Sequence, residues 1–152
     1  MSPIPLSGFS VQTADWRRDE AELYAIRRRV FVEEQQVPES LERDKHDPRS
    51  QHVIARDRQG RAIGTGRLLP DGHIGRVAVL PEWRGHGVGI ALMEVLLTLA
   101  RERGLDLIRL NAQTAVIPFY QRLGFNPEGA EFMEAGIPHR SMWLHLTDRS
   151  PT

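Results

Sequence analysis

Gly85, Gly87 and Gly89 alternate directly after Arg84, and a long apolar segment follows them. A helix that begins here leaves first-turn N–H groups without intrahelical partners and carries partial positive charge at its start. Glycines let that backbone approach a ligand with no Cβ in the way. Arg84 adds a charged fork suited to phosphate oxygens. The chemistry implied is the cradling of a pyrophosphate. The glycines alone fit equally a helix start that merely packs tightly. A P-loop would need lysine followed by Ser or Thr, and none is here. A dinucleotide fingerprint would need a different glycine spacing and an acid at the end of the next strand, whereas Asp106 stands at its beginning.

The elements that must position this junction are readable on both sides of it. Arg76 to Val79 is rich in β-branched residues and is stopped by Pro81, which lacks an N–H and disfavours helix just before it. Ile90, Leu92, Met93, Leu96, Leu97 and Ala100 recur at spacings of three and four, the stripe of a helix packed on a sheet. Upstream, Phe9–Thr13, His52–Arg56 and Ala62–Leu69 read as strands, with turns at Asp57–Gly60 and Pro70–Gly72. Gly64 and Gly66 suggest a bulge or a close backbone approach. Asp15 is the expected N-cap of a helix reaching about Gln35, with Arg17, Arg18, Arg27, Arg28 and Arg29 on its solvated face. Downstream, Gly104 caps the long helix, Leu107–Leu110 is a fifth strand parallel to the fourth, and a short helix runs from Pro118 to Gly124. Glu131–Arg140 reads as a connection, Ser141–Leu146 as a last strand, and the residues after it as a polar tail.

At 152 residues with 40% apolar and 26% charged residues, the chain is long enough for one domain with a real core. Zero formal charge provides no global field toward nucleic acid or an anionic membrane, so neither is an expected partner. The absence of cysteine excludes disulfides, thiolate catalysis and an acyl-cysteine route. The N-terminal decapeptide has neither the charged nor the apolar region of a signal peptide, and a cytoplasmic location is expected. The acidic segment Glu39–Asp47 is the length of loop that is more often functional than idle; its acids fit equally a solvated surface and a lid that draws a cationic amine. No spacing of His, Asp and Glu suggests a metal site.

Val77 to Gly89, reading VAVLPEWRGHGVG, resembles position by position the acyl-CoA signature of the GNAT superfamily of N-acetyltransferases. Phe119-Tyr120-Gln121-Arg122-Leu123-Gly124-Phe125 is similar to the second hallmark of that family. Phe31-Val32-Glu33-Glu34-Gln35 and Gly136-Ile137-Pro138-His139 resemble its ElaA-like branch. The resemblance covers Phe9 to Leu146. It implies a single α/β (α+β) domain with the GNAT acyl-CoA N-acyltransferase fold: a mixed, mostly antiparallel sheet flanked by helices, its fourth and fifth strands parallel and splayed. It also implies direct acetyl transfer from acetyl-CoA to a primary amine, on a small molecule or a peptide.

Carried onto this chain, the resemblance divides the labour. Val77, Ala78 and Val79 would pair with pantetheine, and an N–H near Val79 would polarise the thioester carbonyl. Arg84, Gly85, His86, Gly87, Val88 and Gly89 would hold the pyrophosphate, with Asn111 and Phe119 also on the cofactor. Tyr120 would be the acid for the departing thiolate, against the simpler reading of a core aromatic. Glu34 is the first candidate for the base, with Glu33, Gln113 and His139 toward the substrate. His52 and His139 are histidines of the right chemical type, although a lone histidine is more often packing. Two other readings stay open: a non-catalytic acyl-CoA sensor or partner-binding module, and an acyltransferase using a longer acyl donor, as acyl-homoserine-lactone synthases do. A sheet edge also leaves room for a homodimer.

Overall fold

Asp15 ends the first strand and starts the first helix: its carboxylate accepts hydrogen bonds from the N–H groups of Arg17 and Arg18. Two donors that a helix start leaves open are thereby satisfied. In the computed structural model, which describes residues 8–39 and 45–146, this cap joins β1 (Phe9–Ala14) to α1 (Trp16–Arg27). The helix then widens into a π-helical turn, Arg28–Glu34, a feature frequent at functional sites.

β2 (Gln51–Asp57), β3 (Ala62–Leu68) and β4 (Ile74–Val79) follow, forming with β1 an antiparallel sheet in sequence order. The helix α2 (Val88–Glu102) lies against it through Leu92, Met93, Leu96 and Leu97, all buried. Gly64 and Gly66 permit that approach. A Cβ on Gly64 would sit 3.1 Å from both Leu92 and Val88, and one on Gly66 2.9 Å from Leu96. The close backbone approach expected from these glycines is therefore real, and a register shift in the β3–β4 pairing shows the bulge as well.

After α2 come β5 (Leu107–Gln113), α3 (Ile117–Arg122), β6 (Asn126–Glu134) and β7 (Ile137–His145), with a second antiparallel sheet ordered β5-β7-β6. Among the described residues the two sheets join through one parallel bridge, His73 to Arg109. Beyond it β4 stays with β3 and β5 with β7, so the two strands diverge. This is the splayed parallel pair expected from the sequence.

Three local readings change. Glu131–Arg140 is not an irregular connection but most of a hairpin. Ala135 (φ +53°) and Gly136 (φ +78°) form its two-residue turn, opposite the Glu134–Ile137 pair, and two positive φ values define the turn favoured between twisted strands. Pro138 and an irregular β6 register hide the alternation that would have marked these strands. Arg27 does not belong to the solvated face. It is 1% exposed and donates to both oxygens of Asp47, at 2.9 and 3.1 Å. Asp47 itself is buried and also accepts from Arg67 at 2.8 Å. Burial pushes the Asp47 carboxyl up, but the hydrogen bonds and charges of the two arginines outweigh it and hold the group below 3.8. Asp47 is therefore a core counter-ion rather than part of an acidic lure. Residues 40–44 of that segment and the C-terminal tail lie outside the described residues.

Candidate active site

The divergence of β4 and β5 opens a cleft of about 1210 Å³. One wall is β4 with the start of α2. The other is built from the end of β5, α3 and the β6–β7 turn, and the π-helical turn contributes Phe31 and Glu34. β4 carries its own irregularity here. Two steps along β3, from Thr65 to Arg67, face three along β4, from Ala78 to Gly75, and Arg76 takes up the extra residue at φ +54°. Such a bulge bends a strand and redirects side chains beside a site.

The start of α2 has the form of an anion cradle. Gly87 is its N-cap in the left-handed region, and no side chain caps the first turn. Gly85 (φ +81°) and Gly87 (φ +86°) have nothing within 4 Å of where a Cβ would stand. Their glycine requirement is conformational, and the space over them is open. Gly89 differs: a Cβ there would meet Phe119 at 3.3 Å, so this glycine admits the aromatic ring against the helix start. Backbone donors facing open space with no methyl in the way fit the pyrophosphate of an acyl-CoA.

Arg84 reaches back across this cradle. Its Nε donates to the Val79 carbonyl at 3.0 Å, and its two terminal nitrogens bind both Glu34 oxygens at 2.7 and 2.8 Å. These bonds, against a smaller upward push from burial, hold the Glu34 carboxyl below its usual range. A carboxylate clamped in this way is a poorer proton acceptor than a free one. Tyr120 is half-buried on the opposite wall, edge-on to Phe119 and Phe125 at 5.0 and 5.9 Å. Desolvation pushes its phenol up to about 12, so it stays protonated across the physiological range.

The ends of β5, β6 and β7 supply a polar group. Asn111 donates to Glu134 Oε1 at 3.2 Å and accepts from Ser141. Gln113 donates to Gln35 at 2.8 Å, tying β5 to the end of the π-helical turn. His139, the register partner of Gln113, is 6% exposed and stacks on Phe132.

The cleft thus gathers Tyr120, Glu34 and Arg84 with the β4 segment Val77–Val79, the cradle glycines and Val88, and with Asn111, Gln113, Phe119 and His139. It does not gather the side chains of His86, packed on Trp83, or Glu33, which is exposed beside Arg28. His52 is elsewhere: buried, stacked on Trp16, with Nε2 donating to the Asp47 carbonyl. Burial lowers its pKa below 6.5, more strongly than its contacts with Asp47 raise it, and it serves as packing. Glu134, Arg76 and Gln35 line the cleft without having stood out in the sequence. The first was hidden because the hairpin that brings it beside His139 was itself unread.

A family description, the GNAT acetyltransferase domain, matches residues 12–146. The Bacillus subtilis N-acetyltransferase YjcF, itself uncharacterized, is 37% identical over 123 residues, covering 78% of this chain and 87% of that protein. The crystal structure of an acyl-CoA N-acyltransferase from Pseudomonas aeruginosa superposes with a TM-score of 0.78 at 30% identity, covering 89% of this chain and 98% of that one. Escherichia coli ElaA superposes with the same TM-score at 28% identity, again covering 89% and 98%. By its sequence match, its splayed strands and its cradle, the chain belongs to the GNAT acetyltransferase family.

Proposed function

We propose that this acetyltransferase moves an acetyl group from acetyl-CoA to a primary amine, by direct attack with no acyl-enzyme. The observation that carries the reading is the uncapped, glycine-opened start of α2 beside the diverging edge of β4, in one cleft with the Tyr120 phenol. Backbone N–H groups from Gly85 to Gly89 hold the pyrophosphate, the Arg84 N–H being taken by the Pro81 carbonyl at 3.3 Å. Val77, Ala78 and Val79 offer a strand edge to the pantetheine amides. Phe119 and Asn111 border it from the other wall. Gln113 and His139 face the acceptor. The donor is an intracellular metabolite, so the cytoplasm is the site of action.

The two ends of the reaction make different demands. A lysine-like amine has pKa about 10.4 and must lose a proton before it can attack. The departing thiolate, comparable to a thiol of pKa about 8.5, needs stabilisation. Tyr120, raised to about 12, is a permanent hydrogen-bond donor at neutral pH. Full transfer of its proton to a solvated thiolate would run uphill, because a phenol raised to about 12 is a weaker acid than a thiol of about 8.5. Its part is therefore a hydrogen bond to the leaving sulfur, with the proton following as the desolvated thiolate gains basicity. In this arrangement Glu34 occupies both terminal nitrogens of Arg84, and serves as a base only once Arg84 has let go of it.

The test is acetyl-CoA-dependent thiol release across a panel of amines. Thiol release that depends on an amine, with one acetyl gained per thiol, is the expected result. Acetyl-CoA binding with no transfer to any amine would instead favour an acyl-CoA sensor.

A further inference from the structure

With Glu34 clamped by Arg84, a proton acceptor that needs no such release is wanted, and the β6–β7 hairpin contains a group built for it. His139 Nδ1 lies 2.7 Å from the Ile137 carbonyl oxygen. A carbonyl can only accept, so Nδ1 carries a proton, and the lone pair of the neutral form is the one at Nε2. Nε2 stands 3.7 Å from Glu134 Oε2, too far for a direct hydrogen bond. The other Glu134 oxygen is fixed by Asn111. Both side chains line the cleft. An amine nitrogen at about 2.9 Å from each atom, an ordinary hydrogen-bond length, would span the gap between them.

We propose that Glu134 and His139 form the acceptor's nitrogen site, with Glu134 receiving the ammonium and His139 Nε2 taking its proton. This rests on the acetyl-transfer reading and completes its proton balance. The ammonium gives one proton to Nε2, and the free amine then bonds to the thioester carbon. As the C–S bond breaks, the second N–H proton passes to the Tyr120 oxygen while the Tyr120 hydroxyl proton passes to sulfur, so the phenol ends unchanged. The imidazolium returns its proton to solvent after the amide departs.

The surroundings suit this assignment. From β6 the charged group beside the ring is Glu134, and from β5 the neighbours are the neutral Gln113 and Asn111. Across the cleft stand Arg76, Arg67 bound to Asp47, the Glu34–Arg84 pair, and His46 and His73. The carboxylate nearest the ring is thus the one that favours a cation in the 3.7 Å gap, while the other described cleft carboxylate is neutralised by Arg84.

The experiment is kcat against pH for wild type, His139→Gln and Glu134→Gln with one turned-over amine, alongside calorimetric acetyl-CoA binding. His139→Gln should lower kcat about 10²-fold, the ordinary worth of a general base, and lose the acid limb while keeping acetyl-CoA affinity within twofold. Glu134→Gln, at an exposed position, should raise KM for the amine while keeping acetyl-CoA affinity. Nitrogen-detected NMR of the wild-type imidazole should show the proton on Nδ1. A proton on Nε2, an acid limb unchanged in His139→Gln, or an amine KM unchanged in Glu134→Gln overturns the assignment while leaving acetyl transfer intact. A wild-type chain that binds no acetyl-CoA overturns the reading of the cleft and this site with it.

Discussion

At the scale of single residues, the cradle glycines perform two different tasks. Gly87 supplies a left-handed φ of +86° with open space around it, whereas Gly89 makes room for Phe119. Gly87→Ala should cost about 1–2 kcal/mol of stability for forcing an L-residue into that region. It also places a methyl among the phosphate donors, so acetyl-CoA affinity should fall at least about tenfold. Calorimetry and thermal unfolding read the two effects separately, and an unchanged affinity would place the pyrophosphate elsewhere. Tyr120→Phe removes the hydroxyl and keeps the ring packed on Phe119 and Phe125. We expect acetyl-CoA affinity to hold while kcat drops about 10²-fold, the typical loss for one transition-state hydrogen-bond donor. An unchanged kcat would make Tyr120 a packing aromatic. The cradle could be read from the sequence because glycine spacing and a strand–helix junction are local signals. The Arg84–Glu34 clamp could not, since it joins residues 50 positions apart.

At the scale of elements, the meander, the long helix and the crossover to β5 follow from periodicity and turn residues, and these parts were legible. What periodicity hides is a charge turned inward. Arg27 stands in a run of three arginines, and only the fold shows that it meets Asp47 beneath the first sheet. Asp47→Asn would remove the carboxylate charge that both buried guanidinium groups bind, at a cost of about 3–5 kcal/mol. Denaturant unfolding measures it, and a loss under 1 kcal/mol would mean that water reaches the cluster. The same cluster sets an acid dependence. His52, lowered below 6.5 by burial, stabilises the fold fully above pH 6.5, and that contribution is lost as pH falls through its folded value, because the unfolded chain binds the proton first. Asp47, held below 3.8, stabilises above that pH and is lost as pH falls through its own folded value. Thermal midpoints should therefore begin to fall below pH 6.5, and His52→Gln should flatten that first decline. A wild-type midpoint constant from pH 7 to 5 would contradict it.

At the scale of the whole molecule, two sheets joined among the described residues at one bridge hold a cleft open between them. The uncapped glycine turn lies at one helix start, and the polar group of Asn111, Glu134 and His139 lies at the β6–β7 hairpin. Family membership fixes the architecture; the donor is the claim on which the rest depends. The direct test is calorimetric titration of the protein with acetyl-CoA and CoA, with ATP and NADH as controls. Low-micromolar, one-to-one binding of the two CoA forms alone is the predicted result. Heat from neither CoA form would contradict the account and reduce the glycine junction to a tight turn beneath a packed helix.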